Sequence, residues 1–385
     1  MDRLRALDAS DPLAGFRDAF ALPDGVIYLA GNSLGPPPRA AAARMAEVVG
    51  AEWGGDLVAA WTRRGWIEAP AQVGGKIARL IGAEASEVIV ADSTSVNLFK
   101  LIAATLKARP GRRAVLTVEG DFPTDLYVAG AAGGEIRRVA RQDLIGALTP
   151  EVAVVVLTHA HYRSGEVHDM AHINAAARAA GVWTLWDLSH STGVVEIDLD
   201  GSGADLAVGC GYKYLNGGPG APAYLFVASR LQDRLASPIA GWMGHATPFD
   251  FSSDYRPAEG VRRFLAGTPP ILSLLALETA IDAMAGAQPA AMATKARSLG
   301  DVFLELMVEH CPTLEPACPG PGEMRGGHVA FHHHEAQALS DALAAEGLIG
   351  DVRPPNLIRF GLSPLYVRFE DVGRAVQLIR QALDG

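Results

Sequence analysis

Lys213 is the residue whose type and surroundings most favour covalent chemistry. Only five of the thirty-three basic residues are lysines, and Lys213 lies in the glycine-rich segment GYKYLNGGPG, directly after Tyr212. A lysine amine that forms a Schiff base must first lose its proton, which burial or a nearby positive charge favours. The alternative is a surface lysine beside a turn, but this segment is too apolar and glycine-rich to favour it. We therefore predict a catalytic role for Lys213.

An acidic residue, Asp187, precedes Lys213 by 26 positions and follows the apolar segment VWTLW. His190 lies just beyond it in DLSHSTG. A carboxylate at a strand end can hold a protonated pyridine nitrogen, the partner that pyridoxal 5'-phosphate (PLP) needs to withdraw electrons from a substrate. Each feature is weak evidence by itself, but Lys213 and Asp187 at neighbouring strand ends together indicate a PLP site.

A phosphate group could be bound at residues 92–95, where the hydroxyl-rich segment DSTS begins an expected helix. Free backbone N–H groups and the positive end of the helix dipole both favour an anion at such a position. Ser, Thr and Asp are also common helix caps that bind no ligand. Both interpretations stay open for this helix taken alone.

The candidate residues Lys213, Asp187 and 92–95 follow segments whose composition is typical of buried strands in one sheet. From about residue 85 to 228, apolar β-branched segments alternate with Ala-rich amphipathic ones, which predicts right-handed crossovers and a mainly parallel sheet. Ligands bind at the carboxyl ends of such strands. We predict strands at residues 87–90, 114–118, 152–157, 182–186, 206–210 and 223–227, and helices at 95–108 and 171–181.

The pattern changes near Pro269, where two long helical segments precede a strand–helix–strand–helix order. This α+β arrangement predicts a second, smaller domain with strands at 328–332 and 357–361 and helices at 336–347 and 370–383. We assign residues 46–274 to a large cofactor-binding domain, and residues 1–45 together with 275–385 to the small domain.

The composition excludes several classes of partner. The chain of 385 residues has a net charge of −10 and no dense Lys/Arg run, so nucleic acid and an anionic membrane are not expected partners.

The sequence contains neither a secretory signal nor a long apolar span, and its three cysteines lack CxxC spacing. We therefore expect a cytoplasmic protein with reduced thiols. We expect no metal, because adjacent histidines at 332–334 would point to opposite faces of a strand.

Several segments together resemble the signature segments of the kynureninase family, within the type I fold of PLP-dependent transferases. The resemblance implies PLP as cofactor and hydrolytic cleavage of L-kynurenine to anthranilate and L-alanine in tryptophan catabolism, with 3-hydroxykynurenine as a further substrate of the family. The segments are GNSLGPPPR, DSTSVNLFK, DFPTD, WDLSHSTG, GCGYKYLNGGPG, GWMGH, GTPPIL and RFGLSPLY.

The resemblance also implies a role for each matching residue. Lys213 matches the Schiff-base lysine, Asp187 the carboxylate at the pyridine nitrogen, and Tyr212 a phosphate ligand that also serves as proton donor. These three are the implied catalytic residues. The remaining cofactor contacts are a phosphate-binding pair, a ring contact with two residues on its polar edge, and a histidine: Thr94 and Ser95; Phe122, Thr124 and Asp125; and His190.

Further matches concern the substrate and a second subunit. Arg359 matches the arginine that binds the substrate α-carboxylate. Trp242 and Thr268 match cofactor contacts from the partner subunit, which implies a homodimer with shared active sites. Where some relatives have Asn, this chain has Thr268, which favours kynurenine over its 3-hydroxylated form. Trp66, with Trp61, would either wall the aryl-binding pocket or pack on the core.

Two rival functions remain. A cysteine desulfurase or class V aminotransferase would share the cofactor, but Cys311 and Cys318 lie between helical segments, far from any strand end of the sheet. A cofactor-free binding protein would have no need of Lys213, Asp187 and Arg359. His159 and His161 follow a strand, where a site-adjacent role and a structural one are both open.

Overall fold

The computed structural model describes residues 1–384, which form α-helices, strands and one π-helix at Val48–Asp56. Turns and longer loops join these elements, for example at residues 210–223 and 233–270. The strands are β1 Ile27–Tyr28, β2 Val88–Val90, β3 Ala114–Val118, β4 Glu135–Val139, β5 Val152–Thr158, β6 Trp183–Asp187, β7 Leu206–Gly209, β8 Tyr224–Val227, β9 Glu315–Pro316, β10 His328–His332, β11 Leu348–Ile349, β12 Asp351–Arg353 and β13 Leu357–Gly361. The α-helices are α1 Asp2–Ala9, α2 Ala40–Glu47, α3 Ala60–Arg63, α4 Ala69–Ala78, α5 Thr94–Ala108, α6 Pro123–Ala131, α7 Met170–Ala179, α8 Leu199–Ser202, α9 Ser229–Gln232, α10 Ile271–Ala283, α11 Pro289–His310, α12 Ala336–Ala345 and α13 Phe369–Asp384.

The largest sheet in the described chain has seven strands in the order β2-β8-β7-β6-β5-β3-β4. Strands β7, β6, β5, β3 and β4 run parallel, whereas β8 is antiparallel to both of its neighbours. Every residue of β2, β3 and β5 to β8 is buried, as expected where helices cover both faces of a sheet. The predicted α/β fold with a mainly parallel sheet is therefore confirmed.

The edge strand β4 was not predicted from the sequence. Its residues, EIRRV, are exposed or half-buried, because β4 pairs with β3 on one side only. An edge strand that carries charges lacks the apolar run by which the interior strands are recognised. The six predicted strands correspond to β2, β3 and β5 to β8, with ends that differ by about one residue.

A smaller antiparallel sheet has the order β12-β13-β10-β9. Its two central strands, β10 and β13, have the predicted bounds and are joined in register from His328–Gly361 to His332–Leu357. Helices α11 and α13 pack against each other beside it. The short flanking strands β9 and β12 were not predicted, since two or three residues give no readable periodicity.

The N-terminal segment packs on the C-terminal part of the chain. Strand β1 pairs in parallel with β11, and α1 contacts α13. A buried ion pair joins Lys295 Nζ to Asp11 at 2.6 Å. Helices α2 and α10, which contact each other, span the two sequence positions chosen as domain boundaries, and those boundaries stay a prediction. No helix in residues 1–384 is long and apolar enough to cross a membrane.

Candidate active site

Asp187 ends β6 at the carboxyl edge of the large sheet and is only 4% exposed. Its Oδ1 accepts a hydrogen bond from the backbone N–H of Ser189 at 2.8 Å. Burial raises the pKa of Asp187, although the Ser189 hydrogen bond and the charge of Lys213 act in the opposite direction. A buried carboxyl group of this kind becomes more stable as a carboxylate when a cation is placed against it.

Lys213 lies in the loop after β7, with its Nζ 2.9 Å from Nε2 of His190. Burial, assisted by the charges of Lys213 and His328, lowers the pKa of His190 well below its ordinary value. The His190 ring is therefore neutral, and its Nε2 can accept a hydrogen bond from the lysine. The other ring nitrogen of His190, Nδ1, is buried without a partner in the described part of the chain.

Close backbone contacts hold in place the loop that carries Lys213, which spans residues 210–223 and is called the lysine loop below. The N–H of Gly35 donates to the carbonyl of Tyr212 at 2.8 Å, and the N–H of Gly217 donates to the carbonyl of Gly211 at 2.9 Å. A Cβ atom at Gly35 would collide with the carbonyl oxygen of Lys213 and the side chain of Asn216. Glycine is thus required where the N-terminal segment meets the lysine loop.

Tyr212 contributes a phenol that stays protonated at neutral pH. Burial raises its pKa to about 12, and the neighbouring Cys210 and Asp187 add to the shift. The Lys213 Nζ lies 5.8 Å from the centre of the Tyr212 ring. A protonated phenol beside the lysine can donate a hydrogen bond or a proton at working pH.

The N-terminus of α5 is capped, and its first turn faces the pocket. Ser93 is the N-cap, and its Oγ accepts from the backbone N–H of Val96 at 3.4 Å. Thr94 and Ser95, in the first turn, line the pocket that contains Lys213. Ser93 makes the capping hydrogen bond, which leaves the hydroxyls of Thr94 and Ser95 available to a ligand.

The turn between β3 and α6 supplies another wall. Asp121 accepts hydrogen bonds from the backbone N–H groups of Phe122 and Thr158, each at 3.0 Å, and so ties this turn to the end of β5. Phe122 meets Tyr162 edge-on, with ring centres 5.2 Å apart. Burial, with the charges of Asp187 and Asp121, raises the pKa of Asp125 well above its ordinary range. Its Oδ2 is buried without a partner in residues 1–384.

One pocket gathers most of the residues predicted from the sequence. They are Thr94, Ser95, Phe122, Thr124, Asp125, Asp187, His190, Tyr212 and Lys213. Four further residues of the lining were not predicted, namely Leu98, Thr158, Tyr162 and Ser189. Thr158 ends β5, so the rule that ligands bind at the carboxyl ends of parallel strands would have identified it.

The donor set of this pocket fits PLP. A buried carboxyl group at Asp187 suits a protonated ring nitrogen, and the α5 N-terminus with two hydroxyls suits a phosphate. The lysine amine lies in the same cavity. Two buried atoms, Asp125 Oδ2 and His190 Nδ1, have no hydrogen-bond partner in the described chain. A bound ring with polar substituents could provide those partners.

Arg359 lies beside this pocket on β13 and is fully buried. Its Nε donates to Asp351 Oδ1 at 2.8 Å, and its Nη1 donates to the carbonyl of Tyr162, a residue of the pocket lining. Its Nη2 is 3.2 Å from the hydroxyl of Ser33. The guanidinium is therefore held rigidly at the pocket edge.

Three predicted site residues lie elsewhere in the single chain. Trp66 is buried, donates from Nε1 to Glu52 at 2.8 Å and meets Trp61 edge-on at 5.8 Å, as expected of a residue packed on the core. Trp242 is half-buried next to Phe249, and Thr268 is exposed. Within the described chain, none of these three lines the pocket that contains Lys213.

The two histidines after β5 make structural contacts. His159 is buried edge-on against Trp186, with ring centres 5.6 Å apart, and burial lowers its pKa to about 4. His161 bonds through Nε2 with the carbonyl oxygen of Gly120 at 2.8 Å. Neither histidine lines the lysine pocket as the structure describes it.

Comparison with known proteins gives both a family and a fold. Residues 292–379 match the model of the kynureninase C-terminal domain. The chain is 47% identical over 395 residues to a kynureninase of Deinococcus radiodurans, covering 99% of this chain and 96% of that one. It is 45% identical over 392 residues to a kynureninase of Burkholderia mallei, covering 98% and 94%.

Solved structures with the same fold are more distant in sequence. A cysteine desulfurase from Thermococcus onnurineus superposes with a TM-score of 0.80 at 17% identity, covering 96% of this chain and 98% of that chain. A C-DES variant with glycine covalently linked to its PLP cofactor superposes with a TM-score of 0.81 at 15% identity, covering 93% and 97%. At such low identity these likenesses establish the type I fold of PLP enzymes and nothing further.

Proposed function

The chain belongs to the kynureninase family, and on that premise we propose how its pocket performs the family reaction. That reaction is the PLP-dependent hydrolytic cleavage of the Cβ–Cγ bond of L-kynurenine to anthranilate and L-alanine. The protein is accordingly a hydrolase that acts on carbon–carbon bonds. The observation that carries this conclusion is identity of 45–47% to proteins named kynureninase along nearly the whole chain.

The residues that would hold PLP are those whose chemistry fits each of its groups. Lys213 would bind it covalently, Asp187 would pair with the protonated ring nitrogen, and the α5 N-terminus with Thr94 and Ser95 would bind the phosphate. Tyr212 would donate to the same phosphate. When bound, PLP supplies an electron sink for the charge that develops on the substrate.

Proton transfer is assigned to Lys213 and Tyr212. Lys213 would hold the cofactor in the resting enzyme, and its amine, once released by the amino group of the substrate, would take the proton from the substrate α-carbon. His190, neutral and 2.9 Å away, accepts a hydrogen bond from that amine and fixes its position. Tyr212, whose pKa is raised to about 12, stays protonated at neutral pH and would deliver the proton that completes alanine.

The substrate is held at its carboxylate by Arg359, whose position beside Tyr162 brings a positive charge to the pocket edge. Thr268 in place of an amide side chain favours L-kynurenine over 3-hydroxykynurenine. Trp66 is proposed to act on the substrate only through the packing of the turn between α3 and α4, since its indole is buried against Trp61.

The desulfurase alternative is not favoured. A desulfurase needs a nucleophilic cysteine that reaches the substrate, and the lining of the pocket, as described, contains none. Cys311 is buried with its Sγ near the carbonyl of Val376. Burial also raises the pKa of the Cys311 and Cys318 thiols, which disfavours the reactive thiolate.

We further propose a homodimer in which each subunit completes the other's site, in the cytoplasm. Exposed apolar side chains near Trp242 support the dimer, among them Phe251 at 79% and Phe249 at 55% exposed. An exposed apolar cluster beside a residue expected at a shared site suits a buried interface. The three free cysteines support a reducing compartment.

The proposed function is tested by incubating the purified protein with PLP and L-kynurenine. Fluorescent anthranilate and L-alanine should form in equal amounts without added metal or nicotinamide. The same protein is also assayed with L-cysteine, by detecting sulfide, and with 3-hydroxykynurenine. The three turnover rates are then compared. Sulfide release at a rate equal to or above that of anthranilate would move the chain to the desulfurases.

A further inference from the structure

Asp351 neutralises one of two arginines at the edge of the pocket. It accepts hydrogen bonds from Nε and Nη2 of Arg359. Burial would raise the pKa of Asp351, but Arg359, the hydrogen bond from Ser33 and the charge of Arg353 together lower it, so its carboxylate is ionised. Four of the five N–H groups of Arg359 are bonded, to Asp351, Ser33 and the Tyr162 carbonyl, so one remains for a substrate carboxylate and a second donor is needed to hold it.

Arg353 is the second arginine, and its charge is not fully compensated. Its Nη2 lies 3.1 Å from Ser33 Oγ and 3.3 Å from Asp351 Oδ2, while its side chain is 33% exposed. The Nη2 of Arg359 lies 3.2 Å from the same Ser33 hydroxyl. Two guanidinium groups thus converge on one hydroxyl and share one carboxylate, which leaves one positive charge in excess.

We propose that Arg353 is a second substrate-binding residue, which together with Arg359 holds the α-carboxylate of the amino-acid substrate beside Ser33. The identity of that substrate as kynurenine rests on the proposed function. Arg359, locked by Asp351 and Tyr162, is the rigid part of the site. Arg353, partly exposed, supplies the uncompensated charge that attracts an anion. A carboxylate at Ser33 replaces solvent around Arg353 with a charge-assisted pair.

The test uses the PLP-loaded Arg353→Gln variant. We expect KM for kynurenine to rise about ten- to a hundredfold, as for the loss of a charge-assisted hydrogen bond, while kcat changes by less than about threefold. The visible spectrum and PLP affinity should be unchanged. Arg353→Lys should restore part of the affinity, and it also provides the measurement if the glutamine variant does not fold.

The matched control is Arg163→Gln. Arg163 lies beside the same loop, with its Nη1 3.2 Å from the Pro354 carbonyl, but no hydrogen bond joins it to Ser33 in the described structure. Its KM should stay close to that of the parent protein. An equal rise in KM for both variants would mean that only the general positive field acts, and would overturn the specific role of Arg353.

A second readout is independent of kynurenine. Spectrophotometric titration of the PLP-loaded protein with L-alanine and with L-alaninamide measures the preference for a carboxylate. That preference should fall at least about tenfold in Arg353→Gln. If the parent protein turns over kynurenine and the preference is unchanged, the inference is wrong and the proposed function stands. If kynurenine is not cleaved but the preference falls, the proposed function fails and Arg353 still binds carboxylates.

Discussion

The contact between Lys213 and His190 would position the amine for the proposed proton transfer. The imidazole is neutral because burial and adjacent positive charges lower its pKa, so it accepts from the lysine instead of competing with it as a cation. Tyr212, with its pKa raised to about 12, stays a donor over the physiological range. The pocket therefore holds a donor, an acceptor and an amine in fixed positions before substrate arrives.

Lys213→Ala should remove the covalent cofactor and lower turnover by at least roughly a hundred- to ten-thousandfold, since the anchor and the α-proton base are lost together. Borohydride treatment followed by mass spectrometry measures the covalent link. Lys107→Ala, which removes an exposed lysine in the last turn of α5, is the control and should behave as the parent. Persistent covalent attachment in Lys213→Ala would assign the anchor to another lysine.

At the scale of elements, α5 joins the proposed phosphate site to the rest of the molecule. The buried Lys100 on this helix pairs with Asp92, which has a positive φ of 47°, and donates to the carbonyl of Phe264 at 2.6 Å. Asp92 directly precedes the cap residue Ser93. The strained start of the helix is thus held by an ion pair whose lysine is buried, and Thr94 and Ser95 are held in the pocket with it.

Ser93→Ala and Thr94→Val should separate capping from phosphate binding. Loss of the cap should cost about 0.5–2 kcal/mol of unfolding free energy in the PLP-free protein, with PLP affinity nearly unchanged. Thr94→Val should leave stability nearly unchanged and weaken PLP binding about ten- to a hundredfold. Denaturant unfolding and cofactor titration measure the two effects. Equal losses of PLP affinity in both variants would contradict the division of roles.

At the scale of the whole molecule, the single chain contains a pocket with the lysine but leaves Trp242 and Thr268 outside it. Trp242 lies next to Phe249, which is exposed, as is Phe251. A two-fold symmetric dimer would present the same surface from both subunits, so each could complete the other's site.

Lys213→Ala and Trp242→Ala homodimers should each be impaired, and their mixture should regain activity after subunit exchange. A hybrid contains one native site, with Lys213 from one chain and Trp242 from the other, so the mixture should exceed the sum of its parents. Anthranilate formation measures the gain, and mass spectrometry confirms the exchange. A mixture that exchanges without gain, or a fully active monomer, would rule out shared sites.

The sequence by itself determined which segments form the interior strands and the helices, and which candidate functional side chains lie at their ends. Buried interior strands and amphipathic helices have local periodicities, so residues such as Asp187 and Thr94 could be placed at strand and helix ends before any contact was known. The lysine loop could be recognised from the sequence for the same reason, because its glycines and its single lysine are neighbours in the chain. The edge strand β4 was missed because it carries charges on an exposed edge.

Only the tertiary structure decided which distant residues meet. Ser33 reaches Arg353 and Arg359 because the N-terminal segment packs on the small sheet, more than three hundred positions away in the chain. The carboxylate of Asp351, which compensates one of these arginines, faces them because β12 pairs with β13. Trp66 was placed on the core by the same kind of packing. Such contacts depend on the free energy of burying the surfaces of separate segments against each other. Local sequence patterns do not show which distant segments will pack together.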